Sequence, residues 1–300
     1  MPHVTSRGAP GRRLRFLLCV LVVVLATAFA LPSAPPVEAQ GRTLIRMATL
    51  VPDGSSWHLI LKETAEKWKD LSGGRVRVRL FPGGVAGDDP DVVRKMRLGT
   101  LSAGVLSAVG VGEIDKSVYA LGIPLMYDSY EEVYWVHEQM RAKLEANLEK
   151  KGFIVLNWMD GGWVHFFTKE PVAVPDDLRK LKLFTWAGDA EAVEVWRAGG
   201  FRPVPLPSTE IATALQTGLI EALSSPPQVA VISQFFNHAQ NMTDLRWQLL
   251  LGATLITKKA WDRIPADIQP AIRKATEEAG DRLRKEIREA EAKDLEAMKK

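Results

Sequence analysis

Residues 181–189, LKLFTWAGD, place two large aromatic side chains, Phe184 and Trp186, on a short strand-like segment that leads into a turn. Alternate residues of a strand share a face, so both rings point to the same side of the predicted sheet. Rings of this size fill either a hydrophobic core or the wall of a cavity. The surrounding sequence helps to decide between a core and a cavity wall.

Strands and helices alternate outward from this stretch, which is typical of an α/β architecture with partly parallel sheets. The predicted strands are residues 43–51, 75–81, 103–108, 153–158, 163–168, 182–186, 201–205, 219–223 and 248–257. The predicted helices are residues 56–71, 89–98, 130–150, 210–217, 228–239 and 266–300. Residues 159–162, MDGG, predict a loop between two series of strands.

The predicted C-terminal helix has an apolar stripe with a spacing of three or four residues, which is typical of a helix that packs along one face. The stripe consists of Ile272, Ala275, Ala279, Leu283, Ile287, Ala290 and Met298. We therefore expect this helix to lie across the surface of the folded chain.

The first 39 residues resemble a secretory signal peptide. Four arginines precede an uncharged apolar run at residues 16–31, and small residues before Ala39 suit a cleavage site. The run is shorter than the roughly 20 residues that span a bilayer, so export with cleavage near Ala39 is predicted rather than a permanent anchor. The only cysteine, Cys19, lies in this segment, so the exported protein is expected to contain no disulfide.

The charge balance argues against binding to nucleic acid. The whole chain has 39 basic and 36 acidic side chains, and the predicted leader holds four of the bases and one of the acids. The exported part is thus expected to be neutral, without the basic excess that nucleic acid or anionic lipid attracts.

No pattern in the sequence indicates catalysis, a cofactor or a bound metal. The four histidines after the leader, at positions 58, 137, 165 and 238, are not at ligand spacing to one another. A phosphate-binding glycine loop and a Gly-x-Ser-x-Gly elbow are both missing from the sequence. Aromatic residues are instead dense between positions 158 and 186, near strand ends where ligand crevices of α/β sheets open.

Several stretches together resemble the TRAP transporter solute-binding proteins of the DctP family, the extracytoplasmic receptors of tripartite ATP-independent periplasmic transporters. The most specific are PVAVPDDLRKLKLFTWAG at residues 171–188 and PVPLPSTEIATALQTGLIEALSSPP at residues 203–227. IRMATLVPDGSSWHLILKETAEKW at residues 45–68 is similar to the first strand and helix of that family. The resemblance extends over residues 43–300.

This resemblance implies a two-lobed periplasmic-binding-protein fold of α/β class, with a cleft between the lobes, crossing hinge strands and a long C-terminal helix. Residues 40–161 with about 248–285 would form the first lobe. Residues 162–247 with the end of the C-terminal helix, about 286–300, would form the second. Hinge closure on a ligand, of the kind seen in periplasmic binding proteins, would follow.

At one position the chain departs from the family pattern. The resemblance implies an arginine that pairs with a substrate carboxylate after Leu183, but Phe184 stands there. The chain thus resembles a subgroup that lacks this arginine and is associated with hydrophobic ligands. The predicted ligand-binding residues are four aromatic wall residues and three polar residues that orient the ligand: Trp57, Trp163, Phe184, Trp186, His58, His165 and Ser225.

These observations favour a periplasmic receptor, and not an enzyme, that captures an apolar or amphipathic small molecule and delivers it to membrane permease subunits. The subgroup resemblance implies a helical-repeat periplasmic lipoprotein as a further partner. One alternative is a receptor for a monocarboxylate or keto acid, with the anion held by His165 or by main-chain N–H groups. A lipid shuttle that works without a permease is a second alternative.

Overall fold

The computed structural model describes residue 3 and residues 42–298, and the latter fold as one unit. The predicted signal segment and its cleavage site lie outside the described residues, apart from residue 3. The strands are β1 Thr43–Thr49, β2 Val76–Phe81, β3 Ala103–Ser107, β4 Phe153–Thr168, β5 Lys182–Trp186, β6 Arg202–Leu206, β7 Ala222–Ser225, β8 Asn241–Met242 and β9 Gln248–Thr257. The α-helices are α1 Ser56–Leu71, α2 Asp89–Arg97, α3 Ala108–Gly112, α4 Tyr130–Lys150, α5 Pro175–Lys180, α6 Ala190–Ala198, α7 Ile211–Thr217, α8 Pro227–Ile232, α9 Lys258–Trp261 and α10 Gln269–Met298.

The strands form one continuous sheet in the order β2-β1-β3-β9-β4-β7-β5-β6, with β8 beside β4. Strands β1, β2 and β3 are parallel to one another, as are β5, β6 and β7. Between these two groups lie β4 and β9, which are antiparallel to each other and to their outer neighbours. This confirms the predicted α/β class, since strands joined through helices pair in parallel within each group.

Two lobes are built on the two groups of parallel strands. The first lobe, β1–β3 with α1–α4, has one hydrophobic cluster on each face of its sheet. The second lobe, β5–β8 with α5–α8, has two further clusters, one around Phe167 and Leu215 and one around Phe166 and Leu183. The separate cores agree with the predicted two-lobed fold. The predicted lobe boundaries stay a prediction.

The long strand β4 passes from one lobe to the other without a break, so the predicted loop at residues 159–162 is wrong. Strand β4 pairs with β9 from Phe153 opposite Thr257 to Val164 opposite Gln248. The glycines that suggested a loop lie in a bulge, where the pairing shifts between Asp160 and Trp163. Gly162 has a φ of 92°, a left-handed conformation that favours glycine, so a bulge explains the pair of glycines as well as a loop does.

The predicted long C-terminal helix is confirmed as α10, which packs on both lobes. Ile272 and Ala275 pack in the first lobe beneath the sheet. Leu283 and Ile287 lie against Trp57 of α1, and Met298 reaches the core of the second lobe. The apolar stripe thus contacts three clusters in turn along one helix.

Another departure lies in the second lobe, where one long helix was predicted over residues 228–239. Helix α8 ends at Ile232. Gln234 then adopts a left-handed conformation with φ of 56°, and a short 3-10 turn follows at Phe235–Asn237. A left-handed residue cannot continue a right-handed helix, which is why the apolar pattern overestimated its length.

Gly252 of β9 offers a test of how tightly the crossing strands are packed. A Cβ atom at this position would lie 2.5 Å from the main-chain oxygen of Leu106 in β3. We expect Gly252→Ala to lower the free energy of unfolding by about 1–3 kcal/mol, because main chain has to move. Gly122→Ala is the control, since its Cβ would meet nothing within 4 Å, and a change within about 0.5 kcal/mol is expected. Urea unfolding measures both; equal stabilities of the two variants would contradict this packing.

Candidate functional site

The carboxyl ends of the parallel strands of both lobes face one another across a cleft, the position where α/β sheets bind ligands. The cleft is closed. Segments after β1, β2 and β3 of the first lobe contact segments after β5, β6 and β7 of the second. The pairs in contact are Gly84 with Thr209, Asp88 with Ser208, Pro90 with Gly188, Lys116 with Glu191, and Trp57 with Gln228.

Asp88 makes the most extensive polar contact between the lobes. Its carboxylate accepts hydrogen bonds from the main-chain N–H and the hydroxyl of Ser208, both at 2.8 Å. The same carboxylate caps helix α2 by accepting from the N–H of Asp89 at 2.9 Å. Because Asp88 is 7% exposed, these bonds form largely out of water and hold the second lobe to the start of a helix in the first.

Two of the predicted binding residues, Trp57 and His58, begin helix α1 at the cleft. The indole N–H of Trp57 donates to Oε1 of Gln228 in the second lobe at 3.0 Å. The ring of His58 lies 3.0 Å from the N–H of Gly54 and 2.9 Å from Asp53. His58 thus braces the loop before α1, whereas Trp57 reaches across the cleft.

Another group of predicted residues lies on β4 and its partner β7. His165 is directly opposite Ser225 in the antiparallel ladder, so the structure brings these two together. Nδ1 of His165 lies 2.9 Å from the carbonyl oxygen of Thr243, and the hydroxyl of Ser225 donates to the carbonyl of Pro226. Trp163, 2% exposed, packs against Tyr130 with ring centroids 5.3 Å apart.

Phe184 and Trp186 share one face of β5, as predicted, with ring centroids 6.0 Å apart. That face is largely core, because Phe184 is buried with Phe167 and Leu215 under α7 and α8. Trp186 is partly buried at the edge of the same cluster, at the end of the strand. Trp57 and Trp163 belong to two other clusters, so a single pocket lined by all four rings stays a prediction.

Sequence reasoning missed the buried carboxyl group of Asp89, at the start of α2. Asp89 is fully buried, and its Oδ2 accepts from the N–H and the hydroxyl of Ser107, at 2.8 and 2.6 Å. Its Oδ1 has no hydrogen-bond partner among the described residues. Burial raises the pKa of this carboxyl to about 7, against the opposing effect of the bonds from Ser107. Nothing in the one-dimensional pattern separates it from the neighbouring acids Asp88 and Asp91, which are less buried.

A second feature missed from the sequence is a buried ion pair at the bulge of β4. The Asp160 carboxylate accepts from Arg288 of α10 at 2.8 Å and from the hydroxyl of Tyr134 at 2.6 Å. Arg288 also donates to the hydroxyl of Tyr134 at 2.5 Å. Asp160 is 2% exposed. The point at which β4 passes between the lobes is thereby tied to α4 and α10.

Among residues 42–298 no cluster of ligating side chains could hold a metal ion, and no helix there is long and apolar enough to cross a membrane. The side chains that meet at the cleft carry hydroxyl, amide, indole and carboxyl groups, and aromatic rings lie among them.

Comparisons with known proteins agree on one family. The model of the bacterial extracellular solute-binding proteins of family 7, DctP, matches residues 47–300. The C4-dicarboxylate-binding periplasmic protein DctP of Rhodobacter capsulatus is 28% identical over 92% of this chain and 83% of its own length. The 2,3-diketo-L-gulonate-binding periplasmic protein YiaO of Escherichia coli K12 is 26% identical over 81% of this chain and 75% of its own. A TRAP periplasmic solute-binding protein of Citrobacter koseri, solved with D-glucuronate, superposes with a TM-score of 0.79 at 25% identity, covering 85% of this chain and 86% of the other.

The raised pKa of Asp89 predicts a dependence of stability on pH. The folded protein holds a proton on this carboxyl up to about pH 7, whereas the unfolded chain releases it near its ordinary value of 3.8. The contribution of this carboxyl to stability should therefore fall as pH rises from about 4 to 7. Asp89→Asn cannot titrate, so we expect its unfolding free energy to lose this slope. Asp91→Asn, on the same helix, is the control and should keep it. Urea unfolding across this pH range measures the slopes, and an unchanged slope in Asp89→Asn would count against the buried acid.

The contact between Gly188 and Pro90 predicts a variant that cannot close. A Cβ atom on Gly188 would overlap the ring of Pro90 in the opposite lobe, while its own backbone conformation accepts alanine. We expect Gly188→Ala to shift the protein toward the open form, with a larger radius of gyration in solution scattering and ligand affinity reduced on the order of tenfold. Adding Pro90→Ala removes the opposing ring atoms and should restore closure. A compact Gly188→Ala single variant would contradict this contact.

Proposed function

The chain belongs to the DctP family of bacterial extracellular solute-binding proteins, family 7, and we propose that it binds an apolar or amphipathic small molecule in the cleft. It is a solute receptor of the TRAP type. We propose further that closure of the two lobes encloses the ligand, which the receptor then delivers to membrane permease subunits. The walls would come from Trp57, Trp163, Phe184 and Trp186.

The observation that carries this proposal is the side chain at position 184. The resemblance implies a carboxylate-binding arginine there, and the chain has a phenylalanine whose ring packs into the core of the second lobe. Trp186, two residues further along the same face, is partly exposed. This strand therefore ends in aromatic surface without a cation.

The loss of this arginine matters energetically. A hydrogen bond to a charged group contributes about 1.5–3 kcal/mol, and a carboxylate enclosed without a partner costs several kcal/mol of desolvation. Aromatic surface instead gains from burying apolar groups, at about 25 cal/mol per Å² removed from water. The same closure that favours a carboxylate beside arginine would thus favour an apolar group beside Phe184 and Trp186.

Binding of a monocarboxylate or keto acid is the second candidate, favoured by the names of the relatives. Proteins similar to this chain are described as binding C4-dicarboxylates, 2,3-diketo-L-gulonate or D-glucuronate. The anion would be held by His165 or by main-chain N–H groups. Nδ1 of a neutral His165 donates to the carbonyl of Thr243, so Nε2 carries a lone pair and cannot donate to a carboxylate. This argues against His165 as an anion site unless it is protonated.

Location and partners follow from the same proposal. Export through the predicted signal peptide, with cleavage near Ala39, would place the receptor in the periplasm. The permease subunits would be its membrane partner, and a helical-repeat lipoprotein stays a prediction from the subgroup resemblance. A shuttle that acts without a permease would need the same aromatic walls, and a gene neighbourhood without permease genes would favour it over a transporter component.

Titration of residues 40–300 with 1-decanol, decanoate and D-glucuronate tests the ligand class. We expect decanol to bind and D-glucuronate not to bind, because the wall offers aromatic surface in place of the arginine. Trp186→Ala should weaken decanol binding on the order of tenfold through lost apolar contact. Trp135→Ala is the matched control, since that ring is 67% exposed on α4, outside the cleft contacts. Tight binding of D-glucuronate, with no effect of Trp186→Ala, would refute the apolar ligand and leave the receptor assignment standing.

A further inference from the structure

A small, partly open cavity lies where the bulge of β4 meets α4, α10 and the start of α8. Its walls include Tyr130, Gly162, Trp163, Pro226 and Glu291, and its volume is about 10 Å³. Space of this size accepts one water molecule or one oxygen atom of a larger molecule. The walls come from both lobes, so the cavity is complete only when the cleft is closed.

Two of the wall residues each carry a hydrogen-bond donor that has no partner among the described residues. These donors are the hydroxyl of Tyr130 and the indole N–H of Trp163, both buried. The main-chain N–H of Trp163 approaches the hydroxyl oxygen of Tyr130 without reaching hydrogen-bond geometry. Because this N–H is itself a donor, the hydroxyl proton still has no acceptor. A buried donor without an acceptor costs about 1–3 kcal/mol, so this arrangement is favourable only when an acceptor oxygen enters.

Neighbouring side chains hold these two donors in place. The guanidinium of Arg288 lies over the ring of Tyr130, 3.4 Å from its centroid, and is itself fixed by Asp160 at 2.8 Å. The ring of Trp163 packs against the ring of Tyr130, with their centroids 5.3 Å apart. Such contacts lock the rotamers, so that little entropy is lost when a ligand binds.

The charges around the cavity leave no net positive charge to attract an anion. Arg288 is paired with Asp160, and the carboxylate of Glu291 lies in the cavity wall. The guanidinium of Arg246 lies over the ring of Trp163, 5.8 Å from its centroid. Burial raises the pKa of Tyr130 to about 12, so its hydroxyl remains a neutral donor at physiological pH. The matching acceptor is therefore an uncharged oxygen.

We propose that this cavity is the subsite for the polar end of the ligand, where the hydroxyl of Tyr130 and the indole N–H of Trp163 donate to an uncharged hydroxyl or carbonyl oxygen. The inference rests on the proposed function, since it assigns the head group of the same amphipathic ligand. The apolar part would then extend along the aromatic walls of the cleft. Selectivity between alcohols and acids of equal chain length is set here.

The experiment compares Tyr130→Phe with Tyr127→Phe in residues 40–300, with 1-decanol and decanoate as probes. Tyr130→Phe removes only the unpartnered hydroxyl and should weaken decanol binding about two- to tenfold. Tyr127 donates to the carbonyl of Ala120 within the first lobe, so its variant should bind as the unchanged protein does. Equal decanol affinity in both variants, with only a lower melting temperature for Tyr130→Phe, would identify a structural water site and overturn the subsite.

The other outcomes separate the subsite from the ligand class. Decanoate binding more tightly than decanol would overturn the uncharged head group while leaving an amphipathic ligand. Failure of both probes to bind the unchanged protein would overturn the proposed function, and the subsite with it.

A second measurement observes ligand binding in the unchanged protein and uses a variant only to assign a signal. In protein labelled with ¹⁵N-tryptophan, the indole signal of Trp163, assigned by its loss in Trp163→Phe, should move downfield when decanol is added. The indole signal of exposed Trp135 is the internal reference. A Trp163 signal that stays in place at saturating decanol would overturn the subsite.

Discussion

The pair of buried Asp160 and half-buried Arg288 is the interaction on which the two-lobed arrangement depends. It lies at the bulge where β4 passes between the lobes, and it joins that strand to α10, which packs on both. A buried charge that loses its partner is strongly unfavourable, by about 3–5 kcal/mol. Tyr134 and the N–H of Gly162 supply further hydrogen bonds to the same carboxylate. The lobes can therefore move only in ways that keep this junction intact.

Such a junction allows rotation of one lobe against the other while the crossing strands stay paired. The contacts described across the cleft are each local: a carboxylate on Ser208, an indole on Gln228, an exposed ion pair of Lys116 with Glu191, and close approaches at Gly84 and Gly188. Their net contribution is small, because each replaces bonds to water in the open form. A ligand that contacts both lobes then adds the free energy that determines the population of the closed form.

Much of the fold could be predicted, since local signals were strong where elements begin and end. Helices α1 and α4 have the predicted bounds, each capped by a serine whose hydroxyl accepts from the first turn. Gly161 and Gly162 misled the prediction of β4, because glycine is common to loops and bulges alike. The burial of Asp89 and its bond to Ser107 could not be predicted, as they depend on the packing of α2 against the end of β3.

Position 184 shows why a sequence departure is easier to find than to interpret. The ring of Phe184 turns into the core, so its substitution for arginine both removes a cation and adds to the stability of the second lobe. An arginine there would have to extend past Trp186 to reach the cleft or be buried unpaired. Under the proposed function, polar recognition would fall to uncharged donors such as Tyr130 and Trp163, whose rings are held by Arg288 and by each other. Under the proposed function, the chemistry inside the cleft would differ from that of the acid-binding relatives, with apolar burial and a single oriented oxygen in place of charge pairing.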